Sequence, residues 1–188
     1  MTDLSTDQLP VRAPVSVIGY HGCDVDVAGR LLAGEPFRFS GNDYDWLGSG
    51  VYFWEYAPYR AKEWAQQRFG ENWAVLKAEI LLGDCLNLLD TDYFEDLRIV
   101  HARVVANLQR LDVDVPDNKR GANRLDRLII DRFGELHRAR GGFFDTIRGC
   151  FPEGTPIYQG SKLLSHTHVQ MAVRNQACIK ELELVNYA

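Results

Sequence analysis

Val15-Ser-Val-Ile-Gly-Tyr-His-Gly-Cys23, taken together with Gly48-Ser-Gly-Val-Tyr-Phe-Trp-Glu55, decides the fold. The first stretch is a short apolar run ending in Gly19-Tyr20-His21-Gly22, the pattern of a buried strand that delivers a histidine at its end. The second is a Gly-x-Gly turn entering Val51-Tyr52-Phe53-Trp54, all strand-favouring residues. His21 and Tyr52 then stand as two polar rings on adjacent strands. The glycines beside them allow a flat ligand to approach the backbone closely. Each residue alone has an ordinary explanation, as a satisfied core histidine or a packed tyrosine. The pairing is what points to a site.

Around this centre the chain reads as one soluble domain. Its 188 residues match the usual single-domain length and suffice for a real core. With 46% hydrophobic and 25% charged residues, the composition is that of a globular protein. No run approaches the ~20 apolar residues of a membrane span, so no membrane partner is expected. The start, Met1-Thr-Asp-Leu-Ser-Thr-Asp7, is acidic and polar, unlike a signal peptide, which points to a cytoplasmic protein. Cys23, Cys85, Cys150 and Cys178 are scattered with no CxxC pair, so neither a zinc site nor a disulfide framework is expected. The net charge of −5 argues against general nucleic-acid binding, yet it is uneven. Residues 98–148 carry 11 Lys/Arg against 7 Asp/Glu, a basic middle between acidic flanks. Such a surplus is either a set of solvated helix faces or a surface for an anionic partner.

Residues 1–14, with Pro10 and Pro14, read as a flexible lead-in, and 15–188 as a single domain. Asp24 caps an expected helix over Val25–Ala33, stopped by Gly34. Phe37–Ser40 reads as a short strand. The turn-rich Gly41–Leu47 then lifts Tyr44 and Trp46, either over the site or onto the core. Pro58 opens a helix over Tyr59–Phe69, and Trp73–Ile80 alternates as a strand. A basic helical segment at about 91–140 comes next. Thr91 caps its first helix, and Leu125, Leu128, Ile129, Phe133 and Leu136 line the inner face of its second. Arg124, Arg127, Arg132, Arg138 and Arg140 point mostly outward from that second helix. Phe143–Ile147 reads as a strand and Gly149–Gly160 as a loop. His166–Val173 and Ala177–Val185 read as a terminal hairpin. Period 2 puts His168, Gln170 and Ala172 on one face of its first strand, opposite Val169, Met171 and Val173.

Tyr20-His21-Gly22 followed by Gly48-Ser-Gly-Val-Tyr52-Phe53 resembles the NAD-binding core of the ADP-ribosyltransferases. The likeness is to their His–Tyr branch, which includes the poly(ADP-ribose) polymerases and diphtheria-type toxins. It covers roughly Val15–Phe69 and Phe143–Ile179 and implies an α+β fold. The implied architecture is a split antiparallel β-sandwich with flanking helices and the NAD cleft between its two sheets. The resemblance gives His21 the hydroxyls of NAD, the Gly22 backbone the nicotinamide carboxamide, and Tyr52 the face of the nicotinamide ring. Trp64, one residue out of step, is the candidate for the second face. Arg60-Ala61 stands where the polymerases place a carboxamide-binding serine. His166–Ile179 is similar to bacterial members in which a His-x-Gln entry replaces the usual glutamate, which makes Gln170 the third catalytic position.

The resemblance implies a metal-free mono-ADP-ribosyltransferase that takes NAD as substrate and modifies a macromolecular acceptor, with RNA or DNA preferred to protein. Bacterial relatives of this size act as toxins or phage-defence effectors, which also implies a neutralising antitoxin as partner. A glutamine cannot act as a base, so Glu153 is the nearby acid available to help. An NAD glycohydrolase, an RNA 2′-phosphotransferase of the same fold and a non-catalytic NAD or ADP-ribose binding module are the alternatives.

Overall fold

The computed structural model describes residues 15–119 and 121–187. The expected lead-in at 1–14 lies outside the described residues. The strands are β1 (Ser16–Asp24), β2 (Val51–Glu55), β3 (Trp73–Leu81), β4 (Cys85–Asn87), β5 (Thr146–Phe151), β6 (His168–Val173) and β7 (Ile179–Leu184). The helices are α1 (Val25–Leu32), α2 (Pro58–Phe69), α3 (Phe94–Arg110) and α4 (Arg124–Ala139). The mixed α+β class is as expected. All seven strands form one hydrogen-bonded sheet, in the order β4-β5-β6-β2-β1-β3-β7, where two packed sheets were expected. Every neighbouring pair is antiparallel except β4 with β5, which is parallel.

The central joint of this sheet is short. β1 pairs with β3 along nine residues, from Ser16 with Leu81 to Asp24 with Trp73. It meets β2 at only Gly19 with Glu55 and Tyr20 with Trp54. Beyond Tyr20 the two strands diverge. Their side chains explain the alternation that the sequence displays. Val17, Phe53, Ile80, Met171 and Val173 pack on one face with Cys178. On the other, Ala172 and Ile147 meet Ile130 of α4 together with Leu47, Leu86 and Phe144. Trp54 and Val75 meet Ala61 of α2 on that same side. Burying these chains at ~25 cal/mol per Å² is the main force that holds the sheet to its helices.

Asp24 caps α1 as expected, accepting the Asp26 amide at 2.8 Å. Gly22 is required by packing as well: a Cβ there would lie 2.7 Å from the Ala61 carbonyl oxygen. Its glycine lets α2 sit directly on β1. Phe37–Ser40 forms no strand beyond a bridge between Ser40 and Gly50. Phe37 is instead clamped by the Gln176 side chain, which accepts its amide at 2.9 Å and donates to its carbonyl at 2.8 Å. Helix α3 starts at Phe94, with no side-chain cap from Thr91. It is loosely seated, with Val100 its one buried residue in a span of 17.

Two expectations at the C-terminal side need correction. The strand expected at Phe143–Ile147 runs over Thr146–Phe151, because pairing begins only where β4 and β6 supply partners. Phe144 packs in the core instead, its ring stacked on His137 at 4.1 Å. The terminal hairpin does not exist, since β6 lies between β5 and β2 while β7 pairs with β3 at the far edge. Arg174 and Asn175 both donate backbone N–H groups to the Asp145 carbonyl, at 2.8 and 3.1 Å. That anchor ends β6 and sends the chain across the sheet.

Candidate active site

Where β1 and β2 diverge, His21 fills the opening. Its Nδ1 donates to the Tyr52 carbonyl at 2.9 Å, because a carbonyl can only accept. This fixes the tautomer and leaves Nε2 as an acceptor. Phe37 meets the ring edge-on at 5.3 Å, and Phe53 lies 5.5 Å away. Withdrawal from water pushes the imidazole below its ordinary pKa, and the bond to Tyr52 offsets this only in part.

The opening leads into a cleft of about 630 Å³, whose walls include His21, Tyr52, Trp64, Trp46, Gln170 and Glu153. Strands β1, β2 and β6, helix α2 and two loops therefore bring His21, Gly22, Tyr52, Trp64 and Gln170 to one place. Tyr44 and Trp46 of the turn-rich loop line it too. The Tyr52 hydroxyl is already committed, donating to the Gly48 carbonyl at 2.8 Å and accepting the Leu47 amide at 3.0 Å. Burial pushes this phenol far above the ordinary tyrosine value. Only the ring of Tyr52 is free to meet a ligand. Trp64 leans on Trp54 at 5.5 Å and supplies a second aromatic surface.

Gln170 is held by Trp46, whose indole N–H donates to its Oε1 at 2.6 Å. The Trp46 ring also packs against Phe151 at 5.3 Å. It lies so close over β5 that a Cβ on Gly149 would be 2.6 Å from it. Two carboxylates line the cleft among the described residues, Asp45 and Glu153. Asp45 is buried, accepts the Asn42 amide at 2.6 Å, and is raised in pKa chiefly by desolvation. Glu153 is more open and pairs with Arg60 at 2.8 Å, the residue standing where a serine was wanted. His168 lies beneath, its Nδ1 donating to the His166 carbonyl at 2.6 Å and lying 4.0 Å from Glu153. Burial lowers its pKa, and its Nε2 has no hydrogen-bond partner among the described residues.

The loop carrying Tyr44 and Trp46 is lashed to α4. Asn123 donates its amide to Asp43 O at 2.7 Å and its side chain to Tyr44 O at 3.0 Å. Arg127 donates to Asn42 O at 3.0 Å, and Arg124 pairs with Asp43. Asp131 accepts from the Ser49 amide at 3.0 Å and from Arg174 at 2.6 Å. Arg124, Arg132, Arg138 and Arg140 are exposed, as expected, but several also have partners, since Arg132 pairs with Glu135 and Arg138 lies over Phe143 at 4.9 Å. A recess of about 680 Å³ beside the cleft, lined by Asp43, Lys119 and Arg124, has both signs of charge and no converging strand residues. The cleft at the strand divergence is the better candidate, because three strands aim ring or amide groups into it.

The Trp46–Gln170 bond and the Asp131–Arg174 pair have no signal in the sequence. Both join residues far apart in the chain, separated by 124 and 43 positions. Among the described residues no group of three or more His, Cys, Asp and Glu is placed to hold a metal ion. No described helix is long and apolar enough to cross a membrane.

An uncharacterized protein of the archaeon Methanocaldococcus jannaschii is 26% identical to this chain, over 87% of the chain and 85% of the relative. No protein-family model matches the chain. No solved structure matches it either.

Proposed function

We propose that this protein is a mono-ADP-ribosyltransferase that takes NAD as substrate, on an ADP-ribosyltransferase fold of the His–Tyr branch. One observation carries the reading. His21 and Tyr52 are joined by a hydrogen bond across the point where β1 and β2 part, and both line the cleft that also holds Gln170. A dinucleotide fits such a place: an imidazole Nε2 accepts a ribose hydroxyl, and the faces of Tyr52 and Trp64 receive the flat nicotinamide. The Gly22 backbone serves the carboxamide. In the reaction the C1′–N bond of NAD breaks and its electron pair neutralises the nicotinamide. The acceptor's lone pair forms the new bond at C1′, and the acceptor's proton leaves. The residues present hold NAD bent and align the two partners, with no step that needs a metal.

The acceptor on this reading is a macromolecule, RNA or DNA before protein, approached from the side of α3 and α4. A cytoplasmic toxin or antiviral-defence effector, held in check by an antitoxin, is the corresponding biological setting. NAD glycohydrolysis is the second reading, favoured by the uncharged Gln170 being bonded to Trp46. A binding module without turnover is the third. Incubation with NAD labelled on the adenylate phosphate separates them. Transfer puts label on a macromolecule, hydrolysis gives free ADP-ribose, and a binding module gives neither. His21→Ala should abolish turnover in a protein that still folds, at some cost in melting temperature because its buried ring and its bond to Tyr52 are lost, and undiminished NAD consumption by that variant would remove the cleft from the reaction.

A further inference from the structure

The bond between Trp46 and Gln170 fixes more than a position. An indole N–H can only donate, so the Gln170 atom 2.6 Å from it must be the carbonyl oxygen. The usual ambiguity between the two ends of a glutamine amide is thereby removed. The bond takes one lone pair of Oε1 and turns the amide so that its two Nε2 hydrogens are left as donors beside the remaining lone pair. We infer that Gln170 serves as a hydrogen-bond donor toward the cleft, oriented by Trp46, while Glu153 takes the proton from the acceptor. This rests on the transferase reading above and divides between two residues the work that a single glutamate would do.

The chemistry favours the division. A glutamate facing the ribose accepts a hydroxyl hydrogen and lends electron density to a sugar turning cationic. A donating amide does the opposite at that hydroxyl, so it gains most by binding elsewhere, at a carbonyl or ring nitrogen of the incoming acceptor. Gln170 then orients the acceptor and selects for one that presents such an atom beside its nucleophile. The nucleophile's proton still needs a destination when the C1′ bond forms. Asp45 is buried and bonded to the Asn42 amide, which leaves Glu153 as the open carboxylate among those described in the cleft. Arg60, whose side chain is 16% exposed, holds it at 2.8 Å, so the carboxylate is placed before the acceptor arrives. Trp46 is a positioning residue here, acting through Gln170. Its ring is packed against Gly149 and, tilted by 36°, against Phe151, so the N–H direction is set by packing.

The test is a cycle of variants measured with labelled NAD, first with water and then with total RNA as acceptor. Trp46→Phe keeps a ring and deletes the donor. In the Gln170 protein it should lower transfer about tenfold, the value of one well-placed hydrogen bond, by freeing the amide to turn. In a Gln170→Glu background, where a carboxylate has no end to fix, the same change should cost less than about threefold. Glu153→Gln should lower transfer and hydrolysis at least about a hundredfold with NAD binding retained by calorimetry, and Glu153→Asp should recover part of the loss. Equal costs of Trp46→Phe in both backgrounds would assign Trp46 to packing and overturn the donor role. Full activity of Glu153→Gln would overturn the proton acceptor. A wild-type protein that consumes no NAD would overturn the transferase reading itself, and this inference with it.

Discussion

Tyr52 is bound at both ends of its hydroxyl, to the Leu47 amide and the Gly48 carbonyl. Tyr52→Phe should therefore cost about 1–3 kcal/mol of stability by leaving these groups unpaired, while keeping the ring that meets the ligand. Chemical denaturation checks the cost, and a fully stable Tyr52→Phe protein would show the loop to be held by other contacts. Tyr52→Ala would confuse the two effects, since the ring also packs with Leu47 and Ala172. His21 and His168 make a second prediction. Burial lowers both pKa values, so below about pH 6.5 the unfolded chain takes up protons before the folded one does. The stability they confer is complete above that pH and is lost as pH falls through their folded values. Asp45 and Glu55, raised by burial, act in the opposite sense nearer the acid range. Melting temperature should be level between about pH 7 and 8 and should decline from about pH 6.5 to 5.5. A rise over that interval would mean that the two imidazoles are protonated without penalty.

Helix α4 holds the loop that holds the cleft. Arg174 is 12% exposed and spends its charge on Asp131, which also accepts from the Ser49 amide. Asp131→Ala should cost about 2 kcal/mol, less than a fully buried pair because Asp131 is 31% exposed. It should also speed proteolysis within residues 41–50, and unchanged cleavage would place the tether elsewhere. The elements differ in how plainly the sequence announces them. The Asp24 cap, the Pro58 start, the strand-favouring run of β2 and the alternating runs of β3 and β6 follow from local rules, and these elements are found. The edge strand β4 spans three residues, too few for a period to appear. Strand β5 is disguised by Gly149, which is small because Trp46 lies on it. The two alternating runs near the C-terminus look like hairpin partners because they are neighbours in sequence. Arg174 and Asn175, tied to the Asp145 carbonyl, direct the second run elsewhere, and no local pattern records that. For the site, the pairing of His21 and Tyr52 stands out by its neighbouring glycines, while Gly22, Trp64 and Gln170 are singled out only by the resemblance to the ADP-ribosyltransferases; all five line one cleft. The Trp46 bond is not legible in the sequence, being a product of the whole sheet.

At the scale of the molecule, the pairings of α4 change which arginines are available to an anionic acceptor. Arg124 and Arg127 hold the loop, so reversing them would disturb the cleft. Arg103, Arg110 and Arg140 are exposed on α3 and just past α4, and on the transferase reading proposed above their joint change to Glu should weaken transfer to RNA while NAD hydrolysis persists. Each lost phosphate contact should flatten the salt dependence by about 0.7 in log–log slope. Equal transfer at all salt concentrations would leave the hairpin as scaffold. The order of the strands has a consequence for synthesis. β1 can pair with β3 once residue 81 has been made, but β2 must wait for β6, which completes at residue 173. Until then the Val51–Glu55 edge stands open, and Gln170, the last wall of the cleft, does not yet exist. A nascent chain on the ribosome therefore carries His21 and Tyr52 through the making of residues 53–169 without an assembled site. If the protein is toxic to the cell that makes it, its damage begins only after β6 has been made, and an antidote that binds the cleft has nothing complete to bind before then.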